Sequence, residues 1–177
     1  MEKLLKEKEI NLFFKYLMPA VTGTLAIGIL IFIDTVFIGR GIGAQGLAAL
    51  NIALPAFTFY CCVGYLLGVG GATVASIDEG RGLNNKKRIF TTCIVIGLII
   101  SAIFVIVQNI YLDEIVRILG AKGDIFPLAK SYLRVVVYAS GLYLMPHIIN
   151  PFVRNDNNPN LTMIGMVACG IVNLTLD

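Results

Sequence analysis

Residues Phe13–Gly39 read FFKYLMPAVTGTLAIGILIFIDTVFIG, and no charged side chain occurs from Tyr16 to Ile33. A hydrocarbon layer of about 30 Å requires roughly 20 apolar helical residues to cross it, so this stretch is long enough for a membrane span. The carboxylate of Asp34 follows directly. A carboxylate inside the layer costs roughly 2.5–3.5 kcal/mol on insertion scales, which makes Asp34 a functional candidate.

The composition of the whole chain is typical of a membrane protein. Of its 177 residues, 57% are hydrophobic and 14% are charged. A soluble domain of this length has too little interior to hide so much apolar surface, and the lipid bilayer is therefore the expected partner. The net charge is only +3, and the one dense basic run, Lys86–Arg88, lies between two apolar segments. We expect no nucleic-acid partner.

Further apolar segments follow the first one. We predict four complete transmembrane helices and a fifth that is cut short, at residues 13–39, 47–77, 89–112, 125–151 and 161–177. Helix is expected because backbone exposed to lipid must satisfy its own hydrogen bonds. Asp177 and the terminal carboxylate would end the last apolar helix without a polar flank. The sequence thus predicts an all-α integral membrane protein, with residues 1–177 as an N-terminal fragment of a longer chain.

The basic residues predict the orientation of these helices. With a cytoplasmic N-terminus, the outer loops contain only Arg40, Arg117 and Lys122, and the cytoplasmic segments contain most of the other basic residues. Lys130 and Arg134 enter the fourth span from its outer end and can extend toward the surface. Because cytoplasmic loops carry an excess of Lys and Arg, we expect a multi-pass protein of the cell membrane with its N-terminus in the cytoplasm.

Prolines and glycines occur inside the apolar spans. A proline removes a backbone donor and permits a kink, and the prolines of this kind are Pro19, Pro55, Pro146 and Pro151. Gly64 and Gly68 form a G-x-x-x-G pattern in the second span, which lets two helix backbones approach closely. We expect this pattern to pack helices of one bundle together rather than to form a dimer.

The cysteines and the histidine indicate no metal or redox chemistry. Cys61, Cys62, Cys93 and Cys169 lie in apolar segments without a C-x-x-C pair, and we expect small buried hydrophobic residues. His147 is the only histidine, so a packing or surface role is favoured. The chain lacks H-x-x-x-H and G-x-S-x-G motifs. We therefore predict no metal site, no cofactor and no enzymatic activity.

Polar side chains on three spans are predicted at a similar depth. Asp34 lies ~31 Å along the first span, Asp177 lies ~24 Å along the fifth, and Tyr132 lies ~10 Å from the outer end of the fourth. Asn173 shares a helix face with Asp177. Two carboxylates in a poorly hydrated site cannot both ionise cheaply. The cluster is therefore a candidate proton site below the outer surface.

Simpler roles for these residues remain open. Asp34 is close to the end of its span, where it can face water, and Asn173 and Asp177 can tie helices together by hydrogen bonding. Asn150 lies ~37 Å from the outer end of the fourth span. At that depth it reaches Asp34 only if the proline kinks of the fourth span shorten the path.

Several short motifs occur in a recognisable order along the chain. They are Pro19, Ile33–Gly39 (IDTVFIG), Gly43, Leu47–Leu50 (LAAL), Gly68–Thr73 (GVGGAT), Gly80 with Gly82, Tyr132–Arg134 (YLR), Phe152–Arg154 (FVR) and Asn173-x-x-x-Asp177. Together they resemble the start of the multidrug and toxic compound extrusion (MATE) transporters over nearly the whole chain. One departure is the loop Asn155–Pro159 (NDNNP), where family members often have a glycine.

This resemblance implies a twelve-helix antiporter of two six-helix lobes, in which this chain belongs to the N-terminal lobe and the C-terminal lobe is its missing partner. In such transporters, entry of H⁺ or Na⁺ drives the export of amphipathic, often cationic, drugs and other organic compounds. The matching positions imply an ion-coupling role for Asp34, Asn173 and Asp177, a hinge at Pro19, and cavity positions at Tyr132 and Asn150.

Two other functions are kept as alternatives. One is a flippase for lipid-linked oligosaccharides from the same superfamily. An anionic lipid carrier would favour intramembrane Arg or Lys, whereas the deepest charges here are Asp34 and Asp177. The other is a small membrane subunit that does not transport, which would require no such acids. If the protein is an antiporter, the fragment alone is inactive, because half a cavity cannot close one side while it opens the other.

Overall fold

The computed structural model describes residues 9–156 and 159–176, and every regular element in these ranges is an α-helix. The helices are α1 (Glu9–Gly41), α2 (Ala44–Gly80), α3 (Lys86–Ile118), α4 (Ile125–Tyr138), α5 (Ser140–Asn155) and α6 (Pro159–Leu176). The all-α prediction is confirmed.

Three of these helices are long and apolar enough to cross a membrane. They are α1 from Phe13 onward, α2 and α3, and the pair α4 and α5 makes a fourth candidate that is bent by 47°. The first four predicted spans lie within these helices. The fifth coincides with α6 as far as Leu176, whereas Asp177 lies outside the described residues. The chain is a multi-pass membrane protein.

The fourth span is interrupted at Ala139 and not at its prolines. Ala139 ends α4 with φ −83° and ψ 0°, while Pro146 and Pro151 both lie inside α5. Ser140 and Gly141 follow the break directly. A Gly/Ser pair is a common site of sharp kinks, because glycine in particular has a weak helix propensity. The prolines therefore predict the wrong position for this bend.

A second irregularity lies in α3 at Tyr111, whose φ of −112° and ψ of 23° are not helical. Two residues earlier, the side-chain amide of Asn109 donates to the Val105 carbonyl oxygen at 2.7 Å. It thereby competes with the Asn109 backbone N–H for the same acceptor. The Tyr138 hydroxyl donates to Asn109 Oδ1 at 2.8 Å. The kink separates the apolar part of α3 from its charged end, which begins at Asp113.

The described residues belong to two compact units. One is residues 38–155, called here the 38–155 unit. The other, called the α1–α6 unit, consists of the described residues up to Phe37 together with those from Asp156 onward.

Helix α2 is the central helix of the 38–155 unit. It packs against α3, α4 and α5, and α3 also packs against α4 and α5. One buried apolar cluster, which includes Val116 and Leu133, lies near the loop between α3 and α4. A second, which includes Ile148 and Phe152, lies nearer the loop between α2 and α3. The unit thus has an apolar core toward each of its two ends.

Small residues of α2 let the backbone of α5 approach closely. A Cβ atom at Gly64 would lie 2.8 Å from the Leu144 carbonyl oxygen. One at Gly68 would overlap the His147 carbonyl oxygen and lie 2.8 Å from the Ile148 Cα. Both helices belong to the same unit of one chain. The predicted role of the G-x-x-x-G pattern, close packing within one bundle, is confirmed.

In the α1–α6 unit, Gly23 of α1 faces Met166 of α6. A Cβ atom built on Gly23 would lie 2.8 Å from the Met166 sulfur and 3.9 Å from the Met166 Cβ. Gly23 is buried, and its lack of a side chain makes room for the methionine. This contact defines one point of the register between the two helices.

Candidate functional site

Asp34 is the only acidic residue of α1 after Glu9. It lies roughly two turns before the helix ends at Gly41, and its side chain is half-buried. The next residue, Thr35, donates its hydroxyl to the Ile31 carbonyl oxygen of the same helix at 2.7 Å. A partly buried carboxylate, the one charged group of α1 between Lys15 and Arg40, is consistent with the candidate role given to Asp34.

Pro19 lies one helical turn from the contact between α1 and α6. The proline has no N–H for the Lys15 carbonyl oxygen, although α1 continues through it without a break. Gly23 is four residues later and therefore on the same helix face. The predicted hinge is thus adjacent to the point where Met166 packs on α1.

The two other candidate ion-coupling residues, Asn173 and Asp177, come near the end of the sequence. Asn173 belongs to α6, but its side chain is outside the described set, and Asp177 lies outside the described residues. Helix α6, which includes Asn173, contacts α1 where Met166 packs against Gly23. The helices that carry Asp34 and Asn173 are therefore neighbours.

Tyr132 and Asn150, the predicted cavity positions, belong to the 38–155 unit. Tyr132 is on α4 with 38% of its surface exposed, and Asn150 is half-buried on α5. The bend at Ala139 lies between them. The two side chains are therefore carried by differently directed halves of one span.

A buried polar contact in the 38–155 unit has no clear signal in the sequence. The hydroxyl oxygens of Ser101 and Ser140 lie 3.2 Å apart, and both side chains are buried. Tyr60, from α2, is also buried, with its ring centroid 5.2 Å from that of Phe104. Single serines are ordinary in apolar helices, so only the adjacent Gly141 marks this position as unusual.

Charged and polar residues meet between α3 and α4. Lys130 Nζ lies 2.5 Å from Asp113 Oδ1. The two side chains line a cavity of about 300 Å³ together with Glu114, Arg134 and Tyr138. The Lys130 ammonium on α4 is thus neutralised by the Asp113 carboxylate on α3. The sequence alone predicted only that the Lys130 side chain extends toward the membrane surface.

Within the described ranges, no group of three or more His, Cys, Asp or Glu side chains could hold a metal ion. Cys61 and Cys93 are buried free thiols, as expected from the sequence, but Cys62 is exposed on α2. The side chain of Cys169 is outside the described set.

The histidine has a packing role. The rings of His147 and Tyr65 lie 4.3 Å apart, centroid to centroid, at an interplanar angle of 30°. The His147 Cβ also contacts the face of α2 at Gly64, where an added Cβ atom would lie 2.8 Å away.

Comparison with known proteins identifies the family. A family model described as MatE matches residues 19–177, which is most of the chain. The chain belongs to the MatE family. The matched range includes the proposed hinge at Pro19 and all the candidate site residues. The resemblance seen in the sequence motifs is confirmed.

Two curated relatives are longer than this chain. The multidrug export protein MepA of Staphylococcus aureus (strain MSSA476) is 29% identical over 161 residues, which cover 90% of this chain and 36% of the relative. MepA of Staphylococcus saprophyticus is 29% identical over 160 residues, with the same coverage. The chain therefore spans about a third of the length of the curated relatives it matches.

Solved transporter structures share the fold. The MATE multidrug transporter DinF-BH matches with a TM-score of 0.89 and 26% identity, over 97% of this chain and 39% of that one. A MOP superfamily transporter from Pyrococcus furiosus matches with a TM-score of 0.83 and 23% identity, over 92% of this chain and 36% of that one. The chain therefore has the fold of a MATE transporter structure.

Proposed function

We propose that this MatE-family chain forms part of a cation-coupled exporter of amphipathic organic compounds in the cell membrane. Entry of H⁺ or Na⁺ through a site at Asp34, Asn173 and Asp177 supplies the free energy for export. The N-terminus and the loop between α2 and α3 face the cytoplasm, as the distribution of basic residues favours. Because the chain spans 36% of the length of MepA, further helices complete the transport path.

The observation that carries the proposal is the contact between α1, which contains Asp34, and α6, which contains Asn173 and is described as far as Leu176. Their contact is at Gly23 and Met166. At about 1.5 Å per residue, Asp34 lies ~16 Å beyond Gly23 along α1, and Asn173 lies ~10 Å beyond Met166 along α6. A helix that continued to position 177 would bring that position ~16 Å beyond Met166. Spans one and five of an alternating topology run in the same direction. We therefore expect Asp34 and Asp177 at the same level, with Asn173 one turn away.

This arrangement supports coupling through a simple electrostatic change. Two carboxylates at one level are stabilised by a bound cation or by a shared proton. Departure of that cation leaves like charges facing each other, which favours separation of α1 from α6. Pro19 is the point where α1 lacks one backbone hydrogen bond, next to the contact at Gly23. Bending there would relieve the repulsion and alter the cavity that holds the exported compound.

Replacement of Asp34 by Asn tests the proposal. The full-length transporter is reconstituted in vesicles with an imposed H⁺ or Na⁺ gradient, and export of a fluorescent organic cation is followed. We expect Asp34→Asn to insert normally and to lose gradient-driven export, because the amide cannot take up and release a proton and has no negative charge to hold Na⁺.

The matched control is Asp124→Asn, which removes the same charge from an exposed loop residue and should export at the wild-type rate. Undiminished export by Asp34→Asn would remove Asp34 from the mechanism. Transport of a lipid-linked oligosaccharide in place of the organic cation would favour the flippase alternative.

A further inference from the structure

A groove of about 460 Å³ runs along the surface of α3 near its first residue. Its lining consists of two rows of side chains spaced four residues apart, which are Lys87, Thr91 and Val95 in one row and Arg88, Thr92 and Ile96 in the other. Residues at this spacing lie on the same helix face. Each row therefore changes from a cation to a hydroxyl and then to an aliphatic side chain along the helix.

Asp78 lines a neighbouring cavity together with Arg88 and Thr92, and both Asp78 and the next residue, Glu79, already have partners. Asp78 Oδ2 accepts a hydrogen bond from the Asn85 side-chain amide at 3.0 Å. Glu79 Oε2 lies 3.9 Å from Lys86 Nζ. By contrast, the side chains of Lys87 and Arg88 form no ion pair or hydrogen bond within residues 9–156 and 159–176. Their charges remain available to a ligand.

The threonine hydroxyls do not provide donors to a ligand in this conformation. Thr91 donates its hydroxyl to the Lys87 carbonyl oxygen at 2.9 Å, and Thr92 donates to the Arg88 carbonyl oxygen at 2.8 Å. The donors directed into the groove are therefore those of the two cations. Such a groove favours a ligand whose polar end is anionic and whose remainder is apolar.

We propose that this groove binds an anionic phospholipid, with its phosphate at Lys87 and Arg88 and an acyl chain along Val95 and Ile96. Each Lys or Arg close to an anionic membrane surface strengthens association about fivefold. The occupant is a membrane lipid rather than a soluble phosphate, because the groove continues from the cations onto the apolar part of a membrane-spanning helix. This inference goes beyond the proposed export, since none of the candidate ion-coupling residues lines the groove.

Lipid binding to the purified full-length protein tests the proposal. The probes are phosphatidylglycerol and phosphatidylcholine with identical acyl chains, and bound lipid is counted by native mass spectrometry. We expect the wild type to prefer phosphatidylglycerol. The variant Lys87→Gln/Arg88→Gln should lose this preference, and its affinity for phosphatidylglycerol should fall by about 10-fold or more.

Two further variants separate site binding from general charge. Arg117→Gln/Lys122→Gln removes the same charge from residues that line another open cavity and should keep the preference. Lys87→Arg/Arg88→Lys keeps both charges and should also keep it.

Equal binding of the two lipids by the wild type, or an unchanged preference in Lys87→Gln/Arg88→Gln, would overturn the proposal. Complete displacement of the lipid by millimolar inorganic phosphate would assign the cations to a soluble anion and would also overturn it. The assay requires no transport, so its result is independent of the Asp34 experiment.

Discussion

Asn155 and Ser76 are joined by a hydrogen bond of 2.7 Å from the side-chain amide nitrogen of Asn155 to the Ser76 hydroxyl oxygen. The same nitrogen donates to the Ala72 carbonyl oxygen, also at 2.7 Å. Asn155 is the last residue of α5, and both acceptors lie on α2. These bonds fasten the end of α5 to the central helix of the 38–155 unit. The first residue of the NDNNP loop therefore has a structural role that its sequence context does not reveal.

Replacement of Asn155 by Ala should destabilise the protein by about 1–3 kcal/mol, because two hydrogen bonds are lost at about 0.5–1.5 kcal/mol each. The free energy of unfolding of the purified protein in detergent measures the effect. Asn84→Ala, at an exposed position of the loop between α2 and α3, is the control and should leave stability unchanged. Equal stability of Asn155→Ala and the wild type would contradict the role of these bonds.

The two glycines Gly68 and Gly70 should respond oppositely to replacement by Ala. A Cβ atom at Gly68 overlaps the backbone of α5, whereas one at Gly70 meets nothing within 4 Å. Overpacking of this kind costs about 1–3 kcal/mol, and Ala is a better helix former than Gly by about 1 kcal/mol.

We therefore expect a lower unfolding temperature for Gly68→Ala and an equal or higher one for Gly70→Ala, measured by thermal unfolding in detergent. The same response from both variants would show that α5 does not approach α2 at Gly68.

Hydropathy predicted the helices of this chain well, because the cost of unpaired backbone in lipid leaves helix as the expected structure for each apolar segment. It did not predict where they bend. The break at Ala139 follows from the Ser140–Gly141 pair, while the more conspicuous Pro146 is accommodated inside α5. The kink at Tyr111 accompanies the hydrogen bond from Tyr138 to Asn109. That bond joins two spans, and no local pattern in the sequence reveals it.

The polar and small residues discussed above also differ in how far the sequence predicts their roles. Asp34 stands out in the sequence because a single charge in an apolar helix is costly. The contact between Ser101 and Ser140 does not stand out in the sequence, because serine is common in membrane helices. Which partner a serine meets depends on the rotation of each helix about its own axis. The close approach at Gly64 and Gly68 was predictable because small residues at this spacing have few other uses.

Ser101 and Ser140 should be energetically coupled. Their hydroxyl oxygens lie 3.2 Å apart in a buried position. Hydrogen bonds between membrane helices contribute about 0.6 kcal/mol on average in double-mutant cycles. We expect a coupling energy of that size when Ser101→Ala, Ser140→Ala and the double variant are compared by unfolding. Ser131→Ala, on the exposed face of α4, combined with Ser101→Ala should give additive effects. Additive effects for the buried pair as well would contradict the contact.

The packing of α1 on α6 can be tested by a disulfide between positions 23 and 166. A Cβ atom on Gly23 lies 3.9 Å from the Met166 Cβ, and disulfides join Cβ atoms about 3.8 Å apart. In a background with the four native cysteines replaced by Ser, we expect Gly23→Cys/Met166→Cys to form a disulfide on mild oxidation, which blocks labelling of both thiols by a maleimide.

The control pair is Gly28→Cys/Met166→Cys, because a Cβ atom on Gly28 has no neighbour within 4 Å. This pair should stay reduced and should be labelled fully. Equal oxidation of the two pairs would mean that α1 and α6 are not held in this register. The depths of Asp34 and Asn173 in the membrane could then no longer be related through this contact. The proposed ion-coupling site would lose its geometric support.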